Sequence, residues 1–326
     1  MPGEAGYNGG NGGDVFKTVN RRSPHDKGDL GGWGLNPFTV TVVTRSSFTM
    51  NNIYLPHLVT IEGIYEEAPD VRTLSLAFKD KALADSFVFK TGQFGLYSAF
   101  GLGESTFCIA SPPTRSGSIQ CTFRKSGRVT GGLAGLSIGD TMGFRGPYGN
   151  WFPLDEWKGK DIVFIAGGIG LPPVRSVIWN VLDRREEFGK LTVVYGAKTV
   201  NDLVYKTELA QWDERGDVTL VQTVDPGGET PDWKGKIGFV PTVLEEAGPS
   251  PANAVAVTCG PPIMIKFVIK ALGKLGFADE SIYTTLENKM KCGVGKCGRC
   301  NVGDIYICKE GPVYSAAEVK KMYDDF

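Results

Sequence analysis

The sequence is poor in histidine: His25 and His57 are the two among 326 residues. Both are remote from the chain's cysteine cluster and read as surface or loop residues rather than ligands, and no proton-transfer triad can be assembled. Net charge of one sign is also missing, with 35 basic against 36 acidic residues. This balance removes the electrostatic case for nucleic acid or an anionic membrane surface as partner. No apolar run approaches the roughly 20 residues that cross a bilayer. The opening MPGEAGYNGGNGGD has neither the basic nor the apolar region of a signal peptide. No internal repeat of solenoid or propeller length is present. Together these absences point to a cytoplasmic globular protein, and the length implies about two domains with a small appendage.

Cysteine, by contrast, is concentrated. Four of the seven fall within 17 residues, as Cys292-Gly-Val-Gly-Lys-Cys297-Gly-Arg-Cys300 followed by Cys308. In a chain without an export signal such clustering argues for a metal site rather than disulfides. The pattern C-x4-C-x2-C…C is the spacing of plant-type [2Fe–2S] sites. Gly293, Gly295 and Gly298 allow the backbone to wrap closely around four thiolates, with amides aimed at sulfur. A structural zinc site also takes four cysteines, but zinc ligands usually come as two C-x2-C pairs and only one is present.

The rest of the chain changes rhythm three times. Residues 1–50 form an extension whose first 34 residues contain ten glycines; it buries too little apolar surface to order alone. Residues 51–157 carry short alternating stretches, such as Val71–Phe78 and Ser118–Phe123, separated by polar glycine turns, as in a small antiparallel barrel. Over residues 158–286 continuous apolar strands, beginning with Ile162–Ile165, alternate with helical stretches. Helices are expected after Pro173 to about Glu187, over Asp202–Trp212, near Val240–Glu246 and over Ile263–Leu275, with a last strand over Ile282–Leu286. That alternation predicts a doubly wound parallel sheet in an α/β domain. Residues 287–326 form the cluster-binding segment.

Two loops in the α/β domain stand where ligands bind in open parallel sheets, beyond the carboxyl ends of strands. Ala166-Gly167-Gly168-Ile169-Gly170 lies between a strand and a helix, where a glycine turn admits a phosphate to the backbone and the helix N-terminus favours negative charge. It departs from G-x-G-x-x-G, the usual dehydrogenase fingerprint. Thr258-Cys259-Gly260-Pro261-Pro262-Ile263-Met264 repeats the strand–loop–helix context and would face the same crevice.

These segments, with Tyr195-Gly196-Ala197-Lys198, Gly146-Pro147-Tyr148-Gly149 and Gly127-Arg128-Val129-Thr130, resemble the ferredoxin–NAD(P)+ reductase superfamily. The terminal cysteines resemble its iron–sulfur flavoprotein branch. That branch contains hydrogenase gamma subunits, an anaerobic sulfite reductase component, the dihydroorotate dehydrogenase electron-transfer subunit and the bifurcating transhydrogenase small subunit. The resemblance covers roughly Leu55 to Cys308. It implies a β-barrel flavin domain binding FAD, a nicotinamide domain binding NAD(H) or NADP(H), and a small [2Fe–2S] lobe on Cys292, Cys297, Cys300 and Cys308. Carried over, Thr130 and the amides of Gly127, Arg128 and Val129 would hold the flavin pyrophosphate. Phe107 would lie against the isoalloxazine, Cys108 near its N5 edge, with Ile109 and Ser111 in the same wall. Gly167, Gly168, Gly170, Pro172, Lys198, Asp202, Gly260, Pro261 and Met264 would receive the dinucleotide, with Cys259 beside the nicotinamide. Cys108 and Cys259 are thus the candidate catalytic residues.

One stretch departs from the pattern. Relatives carry Arg-x-(Tyr/Phe)-(Ser/Thr) where this chain has Ser105-Thr106-Phe107-Cys108, so the arginine that neutralises the flavin phosphates is absent. Arg124 and Arg128 are candidate substitutes by charge and position, or solvated barrel charges. The implied activity is an NAD(P)H-dependent flavin oxidoreductase, a diaphorase subunit, passing electrons singly to a partner. That partner would be a hydrogenase, heterodisulfide-reductase-like protein, sulfite reductase or dehydrogenase. Alternatives are a regulatory or sensing subunit, a stand-alone oxygenase-type reductase, and a zinc scaffold. Asp202 tips the expectation toward NADH, against Lys198. Lys289, Lys291, Lys296, Arg299 and Lys309 are read as solvated charges offsetting an anionic cluster.

Overall fold

The computed structural model describes residues 52–115 and 117–323. The expected glycine-rich extension, with His25, lies outside the described residues, whereas His57 is exposed at the start of the first strand.

The barrel region comprises β1 (His57–Ala68), β2 (Val71–Phe78), α1 (Lys81–Ser86), β3 (Phe94–Ala99), β4 (Gly103–Cys108), β5 (Ile119–Arg124), α2 (Arg128–Ala134) and β6 (Thr141–Tyr148). The strands pair in the order β4-β3-β6-β1-β2-β5, every pairing antiparallel. The outer strands approach each other, and just beyond β4 the Ala110 N–H donates to the Gln120 carbonyl of β5 at 2.7 Å. The sheet therefore curls on itself. Period-2 alternation sends Val59, Ile61, Leu74, Leu76, Tyr97, Phe123, Met142 and Phe144 into one core.

The second region contains β7 (Asp161–Gly167), α3 (Leu171–Asp183), β8 (Leu191–Ala197), α4 (Lys206–Asp213), β9 (Val218–Val224), β10 (Lys236–Ile237), α5 (Val240–Ala247), β11 (Ala254–Cys259), α6 (Pro262–Lys274) and β12 (Ile282–Thr285). After the cysteines come β13 (Asn301–Val302), β14 (Ile305–Tyr306), α7 (Ile307–Glu310), β15 (Val313–Ser315) and α8 (Ala316–Met322). The large sheet runs β10-β9-β8-β7-β11-β12-β15. Strands β10 to β12 are parallel, as the apolar runs predict, but β15 pairs antiparallel with β12. The chain thus leaves the sheet, makes the cysteine loop and returns to form its edge. This edge was not expected from the sequence, because three residues carry no readable period.

Helix α3 is buried from Leu171 to Leu182. A helix apolar nearly all round must be covered on several sides; here one side meets the sheet and another the barrel. Arg175 marks the join. Its Nη1 donates to the Ala110 carbonyl at 2.8 Å and to Gln120 Oε1 at 2.9 Å, and Nε and Nη2 grip Glu208 at 2.7 and 2.6 Å. Leaving such a buried guanidinium without its partner would cost about 3–5 kcal/mol.

The expected helix over Asp202–Trp212 is shorter. Val200–Asp202 form a 3-10 turn, Tyr205 takes φ 56°, and α4 starts at Lys206. Tertiary contacts override the local pattern: the Tyr205 N–H donates to Glu67 Oε2 at 2.9 Å and its ring lies 4.5 Å from the Arg175 guanidinium carbon.

Candidate functional site

The large sheet reverses its strand order between β7 and β11, and the loops after both strands meet there. A Cβ added to Gly170 would come within 2.6 Å of Gly260 Cα and collide with the Cys259 carbonyl, and one on Gly167 would strike the Met264 sulfur. Glycine at 167 and 170 therefore serves to press the two loops together, while Gly168, at φ +52°, faces open space. Buried Tyr195 fixes that turn, donating to the Gly168 carbonyl and accepting from the Val204 N–H, both at 3.1 Å.

Above these loops lies a crevice of about 850 Å³. Gly167, Gly168, Gly170, Lys198, Asp202, Cys259, Gly260, Pro261, Met264 and Arg124 all line it. Pro172 does not: it is buried in the first turn of α3. Pro172 and Pro173 lack N–H groups and Leu171 N–H is turned to the Gly168 carbonyl, so the helix start offers few amide donors. Its dipole remains, and the open Gly168 turn is where a phosphate could approach.

Cys259 is 3% exposed, and Thr285 Oγ1 donates to its sulfur at 3.0 Å. Burial, with nearby Glu287 adding to it, pushes the thiol up to about 12 against the Thr285 and Gly260 donors. The thiol is therefore protonated at neutral pH. Cys108, ending β4, is likewise pushed well up by burial, with Cys259 and Glu287 next in effect. Glu287 itself lines the crevice, and its carboxyl is raised by desolvation against the walls even though the residue as a whole is solvent-exposed. It was missed in the sequence, where an isolated acid after an apolar strand was the available signal.

On the barrel, Phe107 sits between Tyr97 and Phe123, with centroids 5.8 and 5.5 Å away. Ile109 belongs to the barrel core. Ser111 is tied down: its Oγ accepts the Gln120 N–H at 3.1 Å and its carbonyl accepts from Ser176 at 3.0 Å. The Thr130 hydroxyl accepts from the Ser126 and Gly127 N–H groups, both at 2.9 Å, so the Gly127 amide is already engaged. The first-turn amides of Arg128 and Val129 lie beyond the reach of any helical carbonyl. A Cβ on Gly127 or Gly131 would meet nothing within 4 Å, leaving an open shelf beside that turn. The Arg128 side chain is exposed, and Arg124 faces the crevice.

The cysteine loop is built differently. Cys292, Cys300 and Cys308 are buried and Cys297 is exposed. The Cys292 sulfur accepts N–H groups from Val294, Lys296 and Cys297 at 3.5, 3.3 and 3.4 Å, and the Cys308 sulfur accepts Gly295 N–H at 3.1 Å. Burial would raise the Cys292 thiol, but the three amides and the Cys297 thiol outweigh it and bring it down to about 6. Cys308 goes the other way, to about 12, through burial and its hydrogen bond to Cys300. The run of amides from Val294 to Cys297 thus serves both the Cys292 and the Cys308 sulfur. Among the described residues no three His, Cys, Asp or Glu side chains converge on a single ion position. Gly293, at φ +77°, lies so close to Leu96 and Tyr148 that a Cβ would come within 2.7 and 2.9 Å of them. The loop is thereby seated on β3 and β6 of the barrel.

Known proteins match this arrangement. Residues 164–270 match the oxidoreductase NAD-binding domain, and residues 287–320 match the iron–sulfur cluster binding domain of dihydroorotate dehydrogenase B. Sulfhydrogenase 1 subunit gamma of Pyrococcus furiosus is 38% identical over 273 residues, spanning 82% of this chain and 94% of that protein. A probable dihydroorotate dehydrogenase B (NAD(+)) electron transfer subunit of Thermococcus kodakarensis is 30% identical over 263 residues, 80% of this chain and 97% of that one. The chain belongs to this family of electron-transfer subunits. The fold agrees with that of other solved proteins. The structure of an NADH-dependent reduced ferredoxin-NADP oxidoreductase superposes with a TM-score of 0.64 at 20% identity, covering 82% of this chain and 92% of that one. A Neisseria gonorrhoeae ferredoxin NADP+ reductase with bound FAD and NADP gives 0.58 at 20%, covering 70% and 96%. The NAD-binding and iron–sulfur domains of the family thus fall on the crevice and the cysteine loop.

Proposed function

We propose that this chain is the diaphorase-type electron-transfer subunit of a multi-subunit redox complex. Electrons would pass between NAD(H) in the crevice, FAD on the barrel, a [2Fe–2S] cluster on Cys292, Cys297, Cys300 and Cys308, and a partner subunit. Bound FAD would supply the exchange between paired and single electrons; the protein supplies position and environment. The observation that carries the reading is the contact pattern of one barrel with two sites. Just beyond β4, the Ala110 and Ser111 carbonyls accept from Arg175 and Ser176 of the helix that follows the Gly168 turn, and the adjoining strands β3 and β6 seat the cysteine loop.

The chain's own groups support each assignment. The Gly168 turn and the α3 dipole would receive a dinucleotide phosphate. Cys259, kept protonated by burial and oriented by Thr285, would pack beside the nicotinamide without competing for its chemistry. The shelf at Gly127–Gly131 has room for the flavin diphosphate, and Arg124 is the cation that faces the crevice nearby. The spacing C-x4-C-x2-C followed by Cys308, with a single C-x2-C pair, suits a [2Fe–2S] cluster better than zinc. Asp202 and Asp225 on the crevice wall, set against Lys198, favour the ribose hydroxyl of NADH over a 2′-phosphate. Neighbouring redox subunits, of the hydrogenase or dehydrogenase kind that the relatives' names carry, would take the electrons. Among the described residues no helix is long and apolar enough to cross a membrane.

Anaerobic isolation with iron, sulfide and flavin analysis tests this directly, followed by dye reduction. The expected result is two irons, two sulfides and one FAD per chain, with NADH reducing the dye faster than NADPH. Zinc in place of iron, or no flavin, would overturn it.

A further inference from the structure

Arg145 lies on β6, three residues before Tyr148, and is 3% exposed. Its guanidinium spends all its directions on the junction between barrel and cysteine loop. Nε and Nη2 form a two-pronged pair with Glu104 of β4, at 2.9 and 2.6 Å. Nη1 donates to the backbone carbonyl of Cys292 at 3.2 Å, to the Ile53 carbonyl at 3.1 Å and to Tyr148 Oη at 3.3 Å. Glu104 is itself oriented by Ser98, whose Oγ donates to Oε1 at 2.9 Å. The two-pronged geometry fixes the pair, with Arg145 buried and the Glu104 side chain 28% exposed. Lysine could not replace it, because one ammonium cannot span Glu104 and a carbonyl on the far side.

We propose that Arg145 is a positioning residue for the iron–sulfur cluster, clamping Cys292 to the barrel while Glu104 balances its charge beside the first cluster ligand. The inference rests on the cluster assignment proposed above. Its physical content has two parts. The clamp ties a ligand 147 residues away in sequence to the strand beside the flavin-facing edge, so it fixes the spacing between the two redox sites. The charge pair sets the local field. Reduction adds one negative charge to a cluster, so an uncompensated cation nearby favours the reduced form and an uncompensated carboxylate the oxidised form.

The two halves of the pair can be removed separately. Glu104→Gln keeps the shape and leaves the cation; Arg145→Gln leaves the carboxylate. In an electron-paramagnetic-resonance redox titration at about pH 8, where a carboxylate is ionised, the cluster potential should rise in Glu104→Gln and fall in Arg145→Gln. Each change should alter the reduced-to-oxidised ratio at fixed potential by roughly tenfold. The double variant should return toward the parent. Shifts of the same sign in both single variants, or no shift in either, would contradict the charge balance.

A second readout needs no cluster. In iron-free protein, amide hydrogen exchange over residues 293–297 should accelerate in Arg145→Gln and stay near the parent rate in Tyr148→Phe, which removes the hydroxyl contacts with Arg145 and the Ile53 carbonyl and leaves the Cys292 bond. Unchanged exchange in Arg145→Gln would overturn the clamp. If the parent itself forms no [2Fe–2S] signal on reconstitution, the cluster assignment fails, and the exchange result still decides whether Arg145 holds the loop.

Discussion

Two buried cysteines of this molecule, one in the crevice and one in the terminal loop, are shifted in opposite directions. In the crevice, Cys259 is enclosed by packed backbone and touched by one hydroxyl and one amide, and its thiol is pushed up to about 12. In the terminal loop, Cys292 is also buried, yet three amides and a neighbouring thiol bring it down to about 6. Burial alone penalises the thiolate in both places. What separates them is the supply of N–H donors, and that supply depends on how each loop is made. The crevice loops spend their glycines on bringing two backbones together. The cluster loop spends its glycines on turns that aim amides at sulfur. Cys259 is left neutral and Cys292 favours the thiolate, while Cys308 of the same loop, with one amide and the Cys300 thiol beside it, is pushed up to about 12.

The largest expected effect breaks the cluster side alone. Cys292→Ser should abolish the visible and paramagnetic signals of the cluster while flavin content and NADH-dependent flavin reduction persist. Loss of flavin as well would mean that the two regions are not separable.

Gly170→Ala attacks the crevice instead. The added methyl meets the Cys259 carbonyl, and overpacking of this kind costs about 1–3 kcal/mol. Urea unfolding should shift to a lower midpoint and NADH affinity should fall by roughly tenfold or more, the equivalent of 1.4 kcal/mol per decade, while iron content stays that of the parent. An unchanged midpoint would show that the loops are looser than the geometry requires.

The smallest effect reads the comparison itself. In iron-free protein, ultraviolet thiolate absorbance should gain one thiolate as pH rises through about 6, and this step should vanish in Cys292→Ser. Because the folded value lies below the ordinary thiol range, that thiolate adds stability at alkaline pH, and its contribution fades as pH falls through about 6. Cys259→Ser should leave the titration unchanged until about pH 12. A first step above pH 8 would remove the contrast.

The parts of this account that could be read from sequence were those in which chemistry follows spacing. Cys292 to Cys308, the strand–glycine–helix passages at Gly167 and Gly260, and the change from alternating to continuous apolar runs needed no knowledge of distant contacts. What could not be read depends on tertiary partners. Arg145 precedes a glycine–proline turn like any barrel arginine until Cys292 arrives against it. Tyr205 looks helical until Glu67 takes its N–H. The edge strand Val313–Ser315 is too short to carry a period and exists because β12 offers it an edge. Among the expected flavin contacts, the turn at Gly127 was legible in Lys125-Ser126-Gly127, but not that Thr130 closes it by binding the Gly127 and Ser126 amides itself. Ser111, likewise expected in the flavin wall, is held by Gln120 and Ser176.

The central claim is that one chain links a nicotinamide crevice to an iron–sulfur cluster through a flavin on the barrel between them. Anaerobic titration of the reconstituted chain with NADH, followed at once by visible absorption and paramagnetic resonance, tests it most directly. The account predicts that the flavin bleaches and that a one-electron [2Fe–2S] signal then grows in the same chain, and that Cys292→Ser loses the second event while keeping the first. A bleached flavin with no cluster signal at any NADH excess, in protein that holds two irons per chain, would contradict it.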